Sequence, residues 1–383
     1  MKKSIFALAA LASIAGAAHA QSSVTLYGIV DGGFLFLNNA NGQRLYSTSS
    51  GNMQGSRWGL RGAEDIGGGT QVTFNLQNGF NMMNGTLGQG GDEFGRAATV
   101  GIASNRFGAV TIGRQYDPLV DFTGPFEAAS LWAPFYAAHP GDLDNMNGFQ
   151  RVNSAIKYRS IDYGGFKFSG MYSLGGVAGQ FSRNQIWTLA ASYDRGPLSM
   201  AAAFMNARDP NFSFFGNNAT SSATGSNMTS RVYSGYASAK TQQIFTFGSL
   251  YKFGNASFNV TYSNTQFKDL GAQAALNPLK YSGSAMFHNV EAGVSYLLVP
   301  SLTLGIAYDY TKGYGVNDAI YQQVTTGIDY FLSKRTDLYA SGIYQHAAGT
   351  DSTGARAVAN LAGASPSSTP NQLAVIVGIR HKF

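Results

Sequence analysis

The residues of this sequence with the clearest potential for a functional role are isolated charged residues in alternating segments and in one acidic stretch. Arg57 falls opposite Trp58 in an alternating segment, and Arg151 shares its face with Lys157 in another. Acidic residues are concentrated in one stretch between residues 117 and 150, as Asp117, Asp121, Glu127, Asp142 and Asp144. Single fixed charges of this kind act on ions and polar solutes through their electric fields.

The sequence offers no motif for covalent or metal chemistry. His139, His288, His346 and His381 lie far apart and lack the spacing of metal ligands. The run Gly88-Gln89-Gly90-Gly91 opens no predicted helix, so a phosphate-binding loop is not indicated. No motif marks a serine hydrolase. We therefore predict that the protein is not an enzyme and has neither a cofactor nor a metal site.

The composition is poor in charge and rich in aromatic residues and glycine. Charged residues make up 12% of the chain, against about 25% in soluble domains. The mean hydropathy is nevertheless close to neutral, at −0.09. Apolar residues that alternate with polar ones, rather than forming blocks, give this combination in transmembrane β-barrels. The basic residues are spaced singly, and without a basic cluster we predict no nucleic-acid partner.

The first twenty residues have the three parts of a secretory signal peptide. A basic start, Met1-Lys2-Lys3, precedes an apolar run from Ser4 to Ala17 and the small-residue site Ala18-His19-Ala20. We predict cleavage after Ala20, which leaves residues 21–383 as the exported barrel. The chain has no cysteine, which suits a protein that crosses the oxidising periplasm unfolded.

Period-2 alternation of apolar and polar residues recurs along the whole chain. Val72, Phe74 and Leu76 alternate with Thr73 and Asn75, for example. We count sixteen such segments, at about residues 23–37, 55–64, 70–81, 94–104, 108–116, 151–160, 165–174, 185–194, 197–207, 242–253, 255–267, 287–298, 301–312, 320–332, 335–346 and 371–383. The pattern predicts an all-β protein, a 16-stranded antiparallel transmembrane β-barrel with its apolar face toward lipid and its polar face toward a water-filled lumen.

The connections between these segments alternate between tight turns and long loops. Gly254-Asn255 and Val299-Pro300 are tight, whereas residues 117–150, 208–241 and 347–370 form long loops. Short turns at one end and long loops at the other are typical of outer-membrane barrels. The second and third long loops are polar and rich in Ser, Ala and Gly, which predicts variable surface loops. Tyrosines that lead into tight turns predict an interfacial belt, at Tyr158, Tyr193, Tyr251, Tyr296 and Tyr330.

Four longer motifs add a family resemblance. They are Ser23-Val24-Thr25-Leu26-Tyr27-Gly28-Ile29-Val30-Asp31, Ser56-Arg57-Trp58-Gly59-Leu60-Arg61-Gly62-Ala63-Glu64-Asp65-Ile66-Gly67-Gly68-Gly69, Gly113-Arg114-Gln115, and the C-terminal Val377-Gly378-Ile379-Arg380-His381-Lys382-Phe383. With these motifs the chain resembles the general porins of Gram-negative bacteria, in particular their β-proteobacterial branch. The resemblance implies a homotrimer in the outer membrane that passes small hydrophilic solutes and ions by diffusion. It also implies contact with outer-membrane lipid and lipopolysaccharide, and recognition of Phe383 by the barrel-assembly machinery.

The resemblance further implies where the channel is narrowest. In the family the third loop folds into the barrel, and its acids face basic residues on the wall. Residues 117–150 match that loop, and Arg57, Arg96 and Arg151 match wall arginines of the second, fourth and sixth strands. Alternation supports Arg57 and Arg151 independently, and Lys157 is a further candidate for the wall. Because a ring of fixed positive charge lowers the barrier for anions, a weak to moderate anion preference is expected.

The acids of the loop and one outward arginine complete the expected site. Asp121 and Glu127 are the acids expected at the constriction, with Asp117 beside them. The loop reads Phe122-Thr123-Gly124-Pro125-Phe126-Glu127 where enteric relatives have a Pro-Glu-Phe-Gly-Gly run. Arg114 falls on the outward face, and since a charge facing lipid is costly we expect it at a subunit interface.

Two other classes of function stay open at this point. A channel of the same fold could be specific for a sugar or a carboxylate, which a track of aromatic residues into the pore would favour. A barrel could also act as an adhesin or a hydrolase through its long loops, although no motif supports this. The sequence favours an outer-membrane diffusion channel over both.

Overall fold

The computed structural model describes residues 23–383, and seventeen β-strands form one antiparallel sheet within this range. The predicted signal peptide, residues 1–20, lies outside the described residues. The strands are β1 (Ser23–Ala40), β2 (Gln43–Ser50), β3 (Arg57–Gly67), β4 (Thr70–Gly79), β5 (Ala97–Ser104), β6 (Gly108–Gln115), β7 (Val152–Arg159), β8 (Phe166–Ser173), β9 (Ile186–Arg195), β10 (Leu198–Arg208), β11 (Thr241–Phe253), β12 (Ala256–Leu270), β13 (Gly283–Val299), β14 (Leu302–Gly315), β15 (Ile320–Phe331), β16 (Thr336–Ala348) and β17 (Asn371–Lys382).

The α-helices of the described part are single turns in the long loops. They are α1 (Pro118–Phe122), α2 (Ala128–Leu131) and α3 (Pro210–Ser213). None of the helices within residues 23–383 has the length and apolar character needed to cross a membrane.

The sheet closes on itself through the first strand. Strand β17 pairs with residues 29–37 of β1, with Phe34 opposite Val377. On its other side β1 pairs with β3 through residues 23–29 and with β2 through residues 32–40. Strands β2 and β3 are therefore two halves of one barrel strand, so the seventeen strands fill sixteen positions around the barrel. The predicted 16-stranded antiparallel barrel is confirmed.

The side chains alternate across the wall as predicted. On β15, Val324 and Ile328 are 41% and 45% exposed on the outer face, whereas Gln323 and Thr325 point inward and are buried. The outer face is apolar because it meets hydrocarbon, and every backbone polar group must then find its partner within the sheet. The weakly patterned segment around β5 follows the same rule, since Val100 and Ile102 face outward.

Strand β2 is an element that the alternation pattern did not predict. Its polar residues give no clear apolar face, so the alternation pattern predicted no strand within residues 38–54. The overlooked signal is Asn41-Gly42, whose residues have positive φ angles of 51° and 93°. Asn-Gly is the preferred pair for a two-residue hairpin turn, because both positions of that turn need positive φ.

The C-terminal residue completes the seam of the barrel. The backbone N–H groups of Gly28 and Phe383 each donate to the other residue's carbonyl oxygen, both at 3.0 Å. The Phe383 ring lies over Gly28, where an added Cβ would come within 2.3 Å of the ring. Glycine at position 28 therefore leaves the space that the terminal ring occupies.

The long loops 208–241 and 347–370 are packed against the barrel and against each other. Tyr236 is fully buried, and its ring packs 5.2 Å from that of Phe267. Arg231 forms an ion pair with Asp351 at 2.5 Å, which joins the two loops. Buried aromatic residues therefore hold these loops over the mouth of the barrel, while their sequence variability stays a prediction.

A bend between β2 and β3 turns the wall inward at residues 51–56. The buried carboxylate of Asp31 accepts hydrogen bonds from the backbone N–H groups of Met53 and Gln54 at 2.7 and 2.8 Å. It also accepts one from the Tyr339 hydroxyl at 2.5 Å. Because Arg57 follows the bend directly, Asp31 fixes where that arginine enters the lumen.

We predict that Asp31→Ala weakens the bend. Three donors would lose a charged acceptor inside the wall, which should lower the stability of the barrel by about 3 kcal/mol or more. Asp31→Asn is the matched control, since its amide oxygen still accepts from the backbone. Heat-induced unfolding followed by electrophoresis would measure the difference, and equal midpoints for the alanine variant and the unsubstituted protein would contradict the role of Asp31.

Candidate functional site

Residues 117–150 fold into the lumen and lie against one side of the wall. The Thr123 and Thr246 hydroxyls are 2.8 Å apart, which joins the loop to β11. On β15, the Gln323 side-chain amide donates to the Ala137 carbonyl at 2.8 Å. The loop therefore follows the inner surface from β11 to β15, and the predicted in-folded third loop is confirmed.

Glycines on the inner wall accept the aromatic side chains of the loop. The Phe126 ring occupies the space above Gly248, where an added Cβ would lie 2.6 Å from it. Trp132 similarly covers Gly305, with a distance of 2.2 Å to an added Cβ. Side chains at these two positions would push the loop away from the wall into the open lumen, so the glycines set how far the loop protrudes.

Three arginines converge on the opposite side of the lumen around one phenol. Arg96 donates to the Tyr116 hydroxyl at 2.7 Å, and Arg151 donates to it at 2.6 Å. Arg57 donates to the Gly55 carbonyl at 2.8 Å and lines the same cavity. Within residues 23–383, none of the three arginines forms an ion pair with a carboxylate. Their positive charges therefore stay uncompensated beside the lumen.

Lys157 differs from the arginines because its charge is paired. Its Nζ lies 2.7 Å from the Asp121 carboxylate and donates to the Tyr116 carbonyl at 2.8 Å. Asp121 is therefore the predicted loop acid that reaches the basic wall. The pair is partly exposed, at 13% for the lysine and 27% for the aspartate side chain.

The lumen is divided into two cavities at this level. One of about 730 Å³ extends toward the tight turns, and one of about 680 Å³ extends toward the long loops. Tyr116 and Asp121 line both cavities. These two residues thus mark the level where the loop narrows the channel.

The prediction that Glu127 and Asp117 face the wall arginines is wrong. Glu127 is buried behind the loop, where it accepts hydrogen bonds from the His139 backbone N–H at 2.9 Å and the Asn147 amide at 3.1 Å. Asp117 is buried as the N-cap of α1 and accepts from the Leu119 N–H at 2.8 Å. A loop without a repeating period gives no sign of which face a residue takes, so the sequence left this open.

A buried histidine attaches the back of the loop to the wall. The His139 Nδ1 lies 2.7 Å from the Asp144 carboxylate, and its Nε2 lies 3.9 Å from Glu127. From the wall, Asp309 and Glu291 approach the same nitrogen at 3.7 and 4.0 Å. The spacing of the histidines indicated no metal site, and it gave no sign of these partners on β13 and β14, which are remote along the chain.

Arg114 lies at a β-bulge where the pairing of β6 and β7 shifts register. Its Nε donates to the Gly95 carbonyl at 2.9 Å, and its Nη1 donates to the Asn153 side chain at 2.5 Å. Asp92 is 3.8 Å away. Within the subunit, Arg114 therefore holds the loop of residues 80–96, while its place at a subunit interface stays a prediction.

The attachment of the loop through His139 and Glu127 should become weaker as the pH rises. Burial lowers the pKa of the His139 imidazole, but the Asp144 and Glu127 carboxylates outweigh this and raise it well above the ordinary value. Burial raises the pKa of Glu127 to about 7. A group with a raised pKa in the folded state contributes stability that is lost as the pH rises through that pKa. Both groups therefore weaken the attachment as the solution changes from weakly acidic to alkaline.

We predict that the unfolding temperature of the barrel falls between about pH 5 and about pH 9. His139→Gln should lower that temperature already at the acidic end, by removing one partner of a buried pair worth about 3–5 kcal/mol when broken, and should flatten the pH dependence. His288→Gln is the matched control, since His288 pairs with Tyr262 away from the loop. A pH dependence that is unchanged in His139→Gln would contradict the assignment.

Comparisons with known proteins agree with this geometry. A family model described as Gram-negative porin matches residues 7–350. An outer membrane porin protein of Bordetella pertussis and outer membrane porin protein 32 of Delftia acidovorans are each 31% identical, with all of both chains covered. Among solved structures, the anion-selective porin from Comamonas acidovorans is 24% identical with a TM-score of 0.73, covering 95% of this chain and 100% of that one.

Proposed function

The chain belongs to the Gram-negative porin family, and we propose that it is a trimeric diffusion channel whose basic constriction favours anions. As a porin it resides in the outer membrane, and its family and fold point to a channel rather than an enzyme. Small hydrophilic solutes and ions would pass through its water-filled lumen.

One observation carries the anion preference. Three arginine side chains reach the narrowest part of the lumen without a carboxylate partner, whereas the acids of the loop are buried behind it or paired with Lys157. Arginine keeps its charge over the whole physiological pH range. The lumen is thus positive at the level where ions pass closest to the wall, which lowers the barrier for anions and raises it for cations. The name of the Comamonas acidovorans porin reports the same preference for that protein.

We predict that neutralising the arginines erases the preference. In a planar bilayer under a KCl gradient, the unsubstituted channel should show a reversal potential closer to the equilibrium potential of chloride than to that of potassium. Arg57→Gln, Arg96→Gln and Arg151→Gln should each lower the chloride-to-potassium permeability ratio roughly twofold or more, because one unit charge near the ion path is removed.

Arg61→Gln provides the matched control for this experiment. Arg61 also lines the lumen but lies in the cavity toward the tight turns, outside the arginine cluster, 5.0 Å from the Tyr27 ring. Its removal should change the ratio less than removal of any constriction arginine, because water screens a more distant charge. A preference for potassium in the unsubstituted protein would contradict the proposed anion selectivity.

The trimer is supported by an apolar surface outside the barrel wall. The loop of residues 80–96 exposes Met82 and Leu87, at 43% and 46%. A neighbouring subunit would cover these side chains, and Arg114, which holds the same loop, would then lie close to the interface. Outer-membrane lipid and lipopolysaccharide would surround the remaining apolar wall. The exposed ring of Phe383, at the end of the closing strand, would serve the assembly machinery as its recognition signal.

We predict that the purified protein migrates as a trimer in unheated detergent electrophoresis and as a monomer after boiling. Met82→Asp and Leu87→Asp together should shift the unheated band toward the folded monomer, since charges would enter an apolar contact. Val299→Asp, where β13 ends beside a tight turn at the other end of the barrel, is a control that should keep the trimer. A monomer band for the unsubstituted, unheated protein would contradict the trimer.

A further inference from the structure

Tyr116 is the residue of the constriction on which two of the three arginines converge. It follows β6 directly and stands where the chain leaves the wall for the loop. Its hydroxyl oxygen accepts one hydrogen bond from Arg96 and one from Arg151. The same two guanidinium groups lie 5.9 and 4.7 Å from the centre of its ring. The phenol is thus placed between two cations at the narrowest level of the channel.

The hydrogen bonds around the phenol oxygen suit an anion. A neutral tyrosine hydroxyl has two lone pairs and one proton to donate. Both arginines donate to the oxygen, and no acceptor for its proton lies among residues 23–383. A tyrosinate would keep both hydrogen bonds, and they would become charge-assisted and stronger. The site therefore favours loss of the proton to lumen water.

We propose that Tyr116 is a specificity-determining residue whose ionisation reduces the anion preference of the channel. This inference rests on the proposed anion-preferring function. With a neutral phenol, the constriction carries the full charge of Arg57, Arg96 and Arg151. With a phenolate, one negative charge is added between two of them, and the field acting on a passing anion becomes weaker.

The charged groups that face Tyr116 come from several elements of the barrel. Arg57 begins β3, Arg96 precedes β5, and Arg151 precedes β7, so three cations surround the phenol. Lys157 on β7 donates to the Tyr116 carbonyl, and its charge is compensated by Asp121 of α1. Cations therefore outnumber anions around the phenol, which favours its charged form.

The balance of these effects places the ionisation close to the physiological range. Burial raises the pKa of the Tyr116 phenol, but the guanidinium groups of Arg151, Arg96 and Arg57 outweigh it and bring the pKa to about 8. An ordinary tyrosine has a pKa of about 10. Burial lowers the pKa of Arg96 as well, to about 9, so the phenol loses its proton at a lower pH than this arginine and accounts for the first change in charge of the cluster.

The test is the reversal potential of purified trimers under a KCl gradient, at about pH 7 and about pH 8.5, which lies above the pKa of the phenol and below that of Arg96. A phosphatidylcholine bilayer is used because its headgroup does not titrate in this interval. For the unsubstituted protein, the chloride-to-potassium permeability ratio should fall roughly two- to fivefold at the higher pH, as expected when a unit charge is added near an ion in a watery pore. Tyr116→Phe should lose this fall.

Tyr27→Phe is the matched control, because Tyr27 is another luminal phenol whose hydroxyl donates to Asn75 rather than accepting from an arginine. It should retain the alkaline fall. A fall of equal size in Tyr116→Phe would overturn the inference and would assign the effect to another group or to loosening of the loop. The proposed function would survive that result, since it depends on chloride preference at about pH 7.

Measurements on the unsubstituted protein keep the inference testable if Tyr116→Phe does not assemble. A permeability ratio that is constant between the two pH values would overturn it without any variant. A potassium preference already at the lower pH would instead contradict the proposed function, and the inference with it.

Discussion

Backbone hydrogen bonding in a medium without water is the constraint on which the rest of this structure depends. Each N–H and C=O group of a strand facing hydrocarbon needs a partner in a neighbouring strand, so the sheet must close. Closure joins β1 to β17 and leaves a space inside the barrel. The loop of residues 117–150 enters that space, and its position is fixed by glycine gaps in the wall and by the carboxylates around His139. The channel is thus a consequence of closure, and its width is a consequence of how the loop is held.

The distribution of charge inside the barrel follows from the same arrangement. Acidic residues are found where the loop meets the wall, in a buried cluster that includes the histidine. Arginines are found across the lumen, where a neutral phenol rather than a carboxylate accepts their hydrogen bonds. Burying carboxylates costs free energy unless partners surround them. Here the hydrogen bonds that attach the loop offset that cost. Because the carboxylates are held behind the loop, they do not neutralise the arginines, whose charges can act on ions.

The parts of the fold that face lipid could be predicted from the sequence, because hydrocarbon enforces strict alternation. All sixteen barrel positions, and the inward directions of Arg57 and Arg151, follow from it. Strand β2 was missed since its residues are polar on both faces. Glu127 was placed on the wrong side of the loop, because irregular backbone has no period to read. Tyr116 and His139 gave no signal, since their partners come from distant strands that only the closed barrel brings together.

The two sides of the constriction belong to different parts of the chain. Arg57 is positioned by the inward bend of the wall and by Asp31, while the loop that faces it is attached to β11–β15 on the other side. Substitutions in the loop can therefore alter the largest solute that passes without altering the sign of the ion preference. Substitutions around the bend can do the reverse. Size exclusion and charge selection are separable traits in such a channel, and each can evolve without loss of the other.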